Sequence, residues 1–255
     1  MRLTVKVGTS TLAYPSGMLN IRHMESLCRV LSDVKNAGHE VILVSSGAVG
    51  MGVGKLGLKS RPEDMPTKQA AAAVGQCELM YTYDREFSEY NHTVAQILLT
   101  GADVKNDERH ENFRNTIMRL LDMGVLPIIN ENDTVATEEI RIGDNDTLSA
   151  IVAASTDSDL LVLLSDIDGL YTGDPRKNPN VTLISEVHEL SEEIMALAGD
   201  SGSSLGTGGM HTKLSAARIC VDAGCDMVIA NGANPEILYS IIAGEKIGTR
   251  FFANK

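Results

Sequence analysis

Two lysines and a set of acidic and amide side chains carry the chemical signal of this sequence. Lys6 closes a short β-prone run at the N-terminus, and Lys213 falls in the first turn of a predicted helix that follows Gly209. A cation at a helix N-terminus opposes the helix dipole, so Lys213 there implies an anionic partner. Gly143-Asp144-Asn145-Asp146 precedes a second apolar helical stretch. A helix cap needs one such side chain; two carboxylates and an amide exceed that need. Asn130-Glu131-Asn132-Asp133 follows a buried-type strand and reads as a polar-ligand site. Ser165-Asp166-Ile167-Asp168-Gly169 follows the most apolar strand, and its Asp-Gly pair also suits a turn.

Two glycine-rich stretches, 46–54 and 202–209, read as loops ahead of helices. Main-chain N–H groups at a helix start attract anions, and glycine lets the backbone approach them closely. Counted from Gly50 and Gly52, the third position of Gly-x-Gly-x-x-Gly is Lys55; Gly52-x-Gly54-x-x-Gly57 has the spacing but does not directly follow the strand at 41–44, as a dinucleotide fingerprint must, and neither stretch has Walker A spacing. A nicotinamide oxidoreductase and a P-loop fold are disfavoured accordingly. The six histidines show no metal-ligand spacing, and the four cysteines no Cys-x-x-Cys, so the thiols read as reduced core or surface residues. Glycine loops, two lysines and clustered acids and amides suit phosphoryl transfer, which needs positioning and positive charge more than a base. A carboxylate acceptor is already ionised at pH 7, consistent with the lack of a suitable histidine.

Alternating elements must position these residues. Residues 3–7, 41–44, 94–99, 125–130, 160–164, 227–230 and 248–252 read as strands. Residues 19–37, 67–90, 107–123, 148–155, 190–198, 210–223 and 235–243 read as helices, with four alanines at 70–73 that let a neighbour pack closely. Residues 134–142 alternate weakly and suit a hairpin, and 171–180 read as a loop. Apolar strands alternating with amphipathic helices imply an open, mainly parallel α/β sheet with helices on both faces. In such a sheet ligands bind beyond the carboxyl ends of the strands, where the small, polar and acidic residues named above collect.

Bulk composition narrows the class. The 22 basic and 34 acidic residues give a net charge of −12, which disfavours nucleic acid as the main partner. There is no Trp, so an aromatic stacking platform is also disfavoured. No apolar run approaches the ~20 residues of a membrane span, and the first residues do not read as a signal peptide. A cytoplasmic protein with no membrane partner is expected.

In order, Val5-Lys6-Val7-Gly8-Thr9-Ser10, Val44-Ser45-Ser46-Gly47-Ala48-Val49, Asn130-Glu131-Asn132-Asp133, Gly143-Asp144-Asn145-Asp146, Ser165-Asp166 through Tyr171, and Gly206-Thr207-Gly208-Gly209-Met210 with Thr212-Lys213 resemble the amino acid kinase family along essentially the whole chain. The Asp166 and Gly208 segments are shared across that family. The 45–48, 130–133 and 143–146 segments are closer to its glutamate-phosphorylating branch, and the Lys-Phe-Gly-Gly-Thr opening of the aspartate branch is absent.

The resemblance implies a three-layer fold in one domain over 1–255, with glutamate bound mainly by 1–155 and ATP mainly by 156–255. The C-terminal RNA-modification-type (PUA) domain of many members is not expected within this sequence. The implied reaction is ATP-dependent phosphorylation of the side-chain carboxylate of L-glutamate, with Mg²⁺ accompanying ATP. Lys6 and Lys213 would stabilise the phosphoryl group in flight, and Asp146 would align them. Ser46, Gly47, Asn130, Asp133, Asp144 and Asn145 would bind glutamate. Lys6, Ser165, Asp166, Thr207, Gly208, Gly209, Met210, His211, Thr212 and Lys213 would bind ATP. Feedback by proline, a homo-oligomer (dimer or tetramer) and handover of the labile acyl phosphate to a glutamate-5-phosphate reductase are further implications. Competing readings are a kinase of the same fold acting on acetylglutamate, aspartate, carbamate or a nucleoside monophosphate, and a non-catalytic amino-acid sensor. Retention of Lys6, Asp146 and Lys213 argues against the sensor.

Overall fold

Apolar runs of about six residues, too short for buried helices and rich in Val, Ile and Leu, become the strands of one sheet. The computed structural model describes residues 1–14, 16, 18–137, 139, 141–175, 177–178, 180–198 and 209–254. In chain order the elements are β1 (Arg2–Val7), α1 (Thr9–Leu12), α2 (Ile21–Asn36), β2 (Glu40–Ser45), α3 (Ala48–Lys55), α4 (Met65–Ser88), β3 (Val94–Leu99), α5 (Gly101–Lys105), α6 (Asp107–Asp122), β4 (Leu126–Glu131), α7 (Asn145–Ser155), β5 (Leu160–Ser165), β6 (Glu186–Val187), α8 (Glu192–Ala196), α9 (Met210–Asp222), β7 (Asp226–Asn231), α10 (Ile237–Ile242) and β8 (Thr249–Phe251).

The strand order is β3-β4-β2-β1-β5-β7-β8-β6. The pairs from β3 through β7 are parallel; β8 runs antiparallel to β7, and β6 pairs parallel with β8. The chain leaves β1 toward β2 on one side and later returns as β5 on the other. That reversal is a topological switch point, where a crevice opens beyond the strand ends. Gly248 has φ +66, and a Cβ there would lie 2.1 Å from the Ile229 carbonyl, so glycine lets β8 turn in against β7.

Strand parity sorts the side chains into two layers. Leu3, Val5 and Val7 of β1 join Leu27, Leu31, Leu79, Tyr83 and Leu238 from α2, α4 and α10. Ile42, Val44 and Ile129 pack with Phe113, Ile117, Leu148 and Val152 of α6 and α7 on the other face. Leu161, Leu163 and Ile229 do the same with Leu214, Ala217 and Cys220 of α9. Thr4 bonds Ser158 at 2.9 Å, and Lys6 reaches α7, so the polar residues of β1 alternate with its core residues.

Two expectations change. The stretch 46–54 is not one phosphate-style loop: Gly47 alone is left-handed, with φ +106, and α3 begins at the next residue. The described residues of 134–142 form turns and irregular chain rather than a hairpin. The Glu131 carboxylate accepts the N–H groups of Ile142 and Gly143, at 2.6 and 3.2 Å, donors that a hairpin ladder would draw on.

Gly52 of α3 and Gly75 of α4 let the two helices pack closely. A Cβ on Gly52 would sit 1.8 Å from the Ala71 carbonyl oxygen, and one on Gly75 would sit 1.7 Å from that of Ala48. Backbone meets backbone there, which is why α4 carries its run of alanines. Among the described residues no helix is long and apolar enough to cross a membrane. Replacing Gly75 with Ala forces the helices apart. It is expected to cost at least about 1–3 kcal/mol, read as a lower urea midpoint; an unchanged midpoint would show that the contact is not tight.

Candidate functional site

Three charged side chains meet under the carboxyl end of β1. Lys6 Nζ lies 2.7 Å from Asp146 Oδ1, and Lys213 Nζ donates to Asp146 Oδ2 at 2.9 Å. Asp146 is 1% exposed, Lys213 4% and Lys6 8%. Thr212 Oγ1 lies 2.9 Å from Asp146 Oδ2 and 2.8 Å from the Gly209 carbonyl oxygen. Burial alone pushes the Asp146 carboxyl up, but the ammonium groups of Lys6 and Lys213 outweigh it and hold the carboxyl far below its ordinary range. Two ammonium groups against one carboxylate leave a net charge of +1 in a nearly water-free site. Such a charge is costly unless another anion shares it.

The helices explain the convergence. Asp144 caps α7, accepting from Thr147 N–H at 2.7 Å and from Thr147 Oγ1 at 2.9 Å. The helix thus starts at Asn145, three residues earlier than its apolar pattern indicates, and places Asp146 in its first turn. Gly209 stands at the N-cap of α9, with Lys213 one turn inside. Lys213 is tolerated near the positive end of that helix because Asp146 meets it.

Beside the triad lies a cavity of about 490 Å³, within the range for small-molecule sites. Ser46, Gly47, Asn130, Asp133, Asp144 and Asn145, which the sequence assigned to one ligand, all line it. Asn145 Nδ2 donates to the Ser45 carbonyl oxygen (3.0 Å), Ser46 Oγ (2.8 Å) and Asn130 Oδ1 (3.0 Å). Asn130 Nδ2 in turn donates to Gln76 Oε1 of α4 at 2.9 Å. Asp144 presents a carboxylate whose two oxygens are both engaged by Thr147. Burial pushes the Asp133 carboxyl up, against the opposing pull of Arg141 and Arg61. Gly47 opens the N-terminus of α3 toward the cavity, where Ala48 and Val49 also contribute to the wall.

The second group of expected residues lies beyond β5 and at the start of α9. Ser165 Oγ donates to Asp166 Oδ1 at 3.1 Å. Asp168 is more than a turn residue: it accepts from Tyr171 Oη at 2.9 Å and from Asn231 Nδ2 at 2.8 Å, joining the ends of β5 and β7. Gly169 is there for close approach, since a Cβ would lie 2.5 Å from Thr249 Oγ1. Gly209, Met210, His211 and Thr212 lead into Lys213, with His211 exposed. Thr207 and Gly208 lie outside the described residues.

Sequence reasoning missed Gln76, Arg61 and Arg141. Arg61 and Arg141 line the cavity, as does Glu131. Gln76 had a signal, since it interrupts an alanine-rich helix at a position that must be buried. The arginines lie in irregular segments where periodicity says nothing.

A family model described as "Amino acid kinase family" matches residues 1–231. The chain belongs to the amino acid kinase family. It is 53% identical to a protein named glutamate 5-kinase from Clostridium perfringens, over 100% of this chain and 96% of that one. It is 55% identical to one of the same name from Carboxydothermus hydrogenoformans, over 100% of this chain and 68% of that one. Two solved structures share the fold. One is UMP kinase from Bacillus anthracis, with a TM-score of 0.67, 16% identity and coverage of 100% and 96%. The other is isopentenyl phosphate kinase from T. acidophilum, with a TM-score of 0.64, 18% identity and coverage of 98% and 100%.

The depressed Asp146 carboxyl sets a pH signature. A carboxyl held lower in the folded than in the unfolded chain contributes stability above its unfolded pKa and loses it as pH falls toward the folded value. Asp146→Asn is therefore expected to be less stable than wild type at neutral pH, by about 3–5 kcal/mol. The gap should narrow on acidification below about pH 4. Urea titrations at several pH values check this; a gap independent of pH would show that Asp146 carries no such coupling.

Proposed function

We propose that this kinase transfers the γ-phosphoryl group of ATP to the side-chain carboxylate of L-glutamate, giving L-glutamate 5-phosphate and ADP, the first step of proline synthesis. The observation that carries the reading is the buried Lys6–Asp146–Lys213 cluster of net charge +1, adjacent along α7 to a cavity lined with acid, amide and hydroxyl groups. Similarity along the whole of this chain to proteins named glutamate 5-kinase supports the choice of acceptor.

The residues divide the work. A γ-carboxylate oxygen attacks the terminal phosphorus of ATP, the bond to the β–γ bridging oxygen breaks, and ADP leaves with that electron pair. The acceptor is ionised at neutral pH, so no proton has to be removed. Lys6 and Lys213 neutralise charge that spreads over the phosphoryl oxygens in the transition state. Asp146 keeps the two ammonium groups apart and aimed. Asp133 takes the substrate ammonium. Ser46 and the N–H groups at the start of α3 take a carboxylate. Asn130, Asp144 and Asn145 complete the glutamate wall, so that mainly 1–155 hold glutamate and mainly 156–255, with Lys6, hold ATP. Ser165, Asp166 and the approach to Lys213, from Thr207 and Gly208 through Gly209, Met210, His211 and Thr212, hold the nucleotide.

Magnesium enters with ATP as part of the substrate. Both Asp146 oxygens face ammonium groups, and the described residues include no group of three or more side chains arranged to hold a metal. Phosphate oxygens and water fit the ion as ligands. The same reading includes a cytoplasmic homo-oligomer and handover of the acyl phosphate to a reductase. It also includes feedback by proline, which shares the ammonium and α-carboxylate of glutamate and lacks the reacting group.

Protein incubated with ATP, Mg²⁺ and hydroxylamine should yield a hydroxamate with L-glutamate, less of it when millimolar proline is added. Product with aspartate or acetylglutamate instead would replace the substrate, and glutamate saturation unmoved by proline would remove the feedback. Asp133→Ala should raise glutamate KM by roughly tenfold or more. Because burial raises the Asp133 carboxyl, the ammonium partner is lost as pH falls through that raised value. Wild-type glutamate KM should therefore climb on acidification, starting above the ordinary Asp range, and the climb should be absent in Asp133→Ala. A KM that rises equally in both proteins would place the titrating group elsewhere.

A further inference from the structure

The amides that line the glutamate cavity form a chain whose direction is fixed at two points by main-chain atoms. The Ser45 carbonyl can only accept, so the Asn145 atom 3.0 Å from it is Nδ2. The Glu131 N–H can only donate, so the Asn130 atom 2.9 Å from it is Oδ1. These assignments make Asn145 Nδ2 a donor to Asn130 Oδ1 at 3.0 Å. They also leave Asn130 Nδ2 facing Gln76, 2.9 Å away, where an acceptor is required. Gln76 supplies Oε1.

We propose that Gln76 is a positioning residue for the glutamate site: its side-chain oxygen locks the amide of Asn130, and through it the amide of Asn145, in the orientation that reads the substrate. Gln76 is 7% exposed and is not part of the cavity wall, so it acts through Asn130 rather than on the ligand. Asn130 is 3% exposed, and water cannot replace a lost partner there.

The consequence reaches the cavity along the chain. The two hydrogens of Asn145 Nδ2 are spent on three acceptors, Ser45 O, Ser46 Oγ and Asn130 Oδ1, one hydrogen being shared. Asn145 therefore offers a ligand its Oδ1, an acceptor suited to an ammonium group. Ser46 Oγ accepts from Asn145, so its own hydrogen is free for a carboxylate. One wall thus presents an acceptor and a donor in fixed places, matching the two groups on the α-carbon of an amino acid. If Asn130 loses the acceptor behind it, its Nδ2 is left buried and unpaired. The amide is then driven to rearrange, and Asn145 is released with it.

This inference rests on the glutamate reading, and the experiment separates the two. Gln76→Met keeps length and removes the acceptor. Gln76→Glu keeps an acceptor oxygen in either protonation state. The Met variant should raise glutamate KM by roughly ten- to hundredfold, the effect of leaving a buried donor unpaired. Its ATP KM and kcat should stay within about threefold of wild type on the same principle, since the nucleotide side is untouched. The Glu variant should return glutamate KM to near the wild-type value. Gln76→Ala carries the same expectation as Met and replaces it should the Met variant not fold. A glutamate KM unchanged by Met and Ala, a parallel rise in ATP KM, or a Glu variant as impaired as Met would each overturn the assignment. Wild-type protein assayed alongside that makes no hydroxamate from glutamate would overturn the glutamate reading itself, together with the ligand assigned to this wall.

Discussion

A single buried carboxylate between two ammonium groups governs how this chain can fold and what it can do. Asp146 cannot stand alone in a site that is almost free of water, and neither can Lys6 or Lys213. Each of the three belongs to a different element: β1, α7 and α9. The cluster can exist only when β1 is central, when α7 and α9 lie on the same face of the sheet, and when both helices begin at the level where β1 ends. The order β2-β1-β5 and the packing of α7 beside α9 meet those conditions. The excess positive charge is then a standing requirement for an anion at the switch point.

Much of this was legible beforehand because strand parity and helix periodicity are strong signals in short, apolar elements. Residues 94–99 were read as a strand with the bounds that β3 has, and the strand at 160–164 gained one residue. Lys213 stood out because its helix position is unfavourable without a partner, and that partner is present. The parts that were not legible involve contacts whose partners are far apart in sequence. Glycines at 50, 52 and 54 resembled a phosphate loop, yet two backbones brought together by Gly52 and Gly75 make a helix of that stretch. The described residues of 134–142 form no hairpin, and Glu131 holds the N–H groups of Ile142 and Gly143 at the end of that stretch. Asp144 resembled a ligand group and is also a helix cap, which local sequence cannot separate. Gln76 lies 54 residues from the amide it contacts, and nothing local marks the pair.

Consecutive residues at the start of α7 join the two halves of the site. Side chains one residue apart on a helix diverge by about 100°, so Asn145 and Asp146 cannot serve the same neighbour. Asn145 turns to the ends of β2 and β4 and takes part in an amide chain that distinguishes donors from acceptors. Asp146 turns to β1 and α9 and manages net charge. The cap made by Asp144 fixes where the helix begins and therefore where both point. A network of neutral amides and a cluster of formal charges make opposite demands on a protein. The first needs neutral groups with fixed hydrogen positions, and the second needs formal charge shielded from water. Placing the amide and the carboxylate on adjacent residues of one capped helix ties their geometry together while keeping their electrostatics apart. A shift of α7 along its axis would disturb both at once, whereas a change in the amide chain alone would alter what is bound and leave the charge cluster intact.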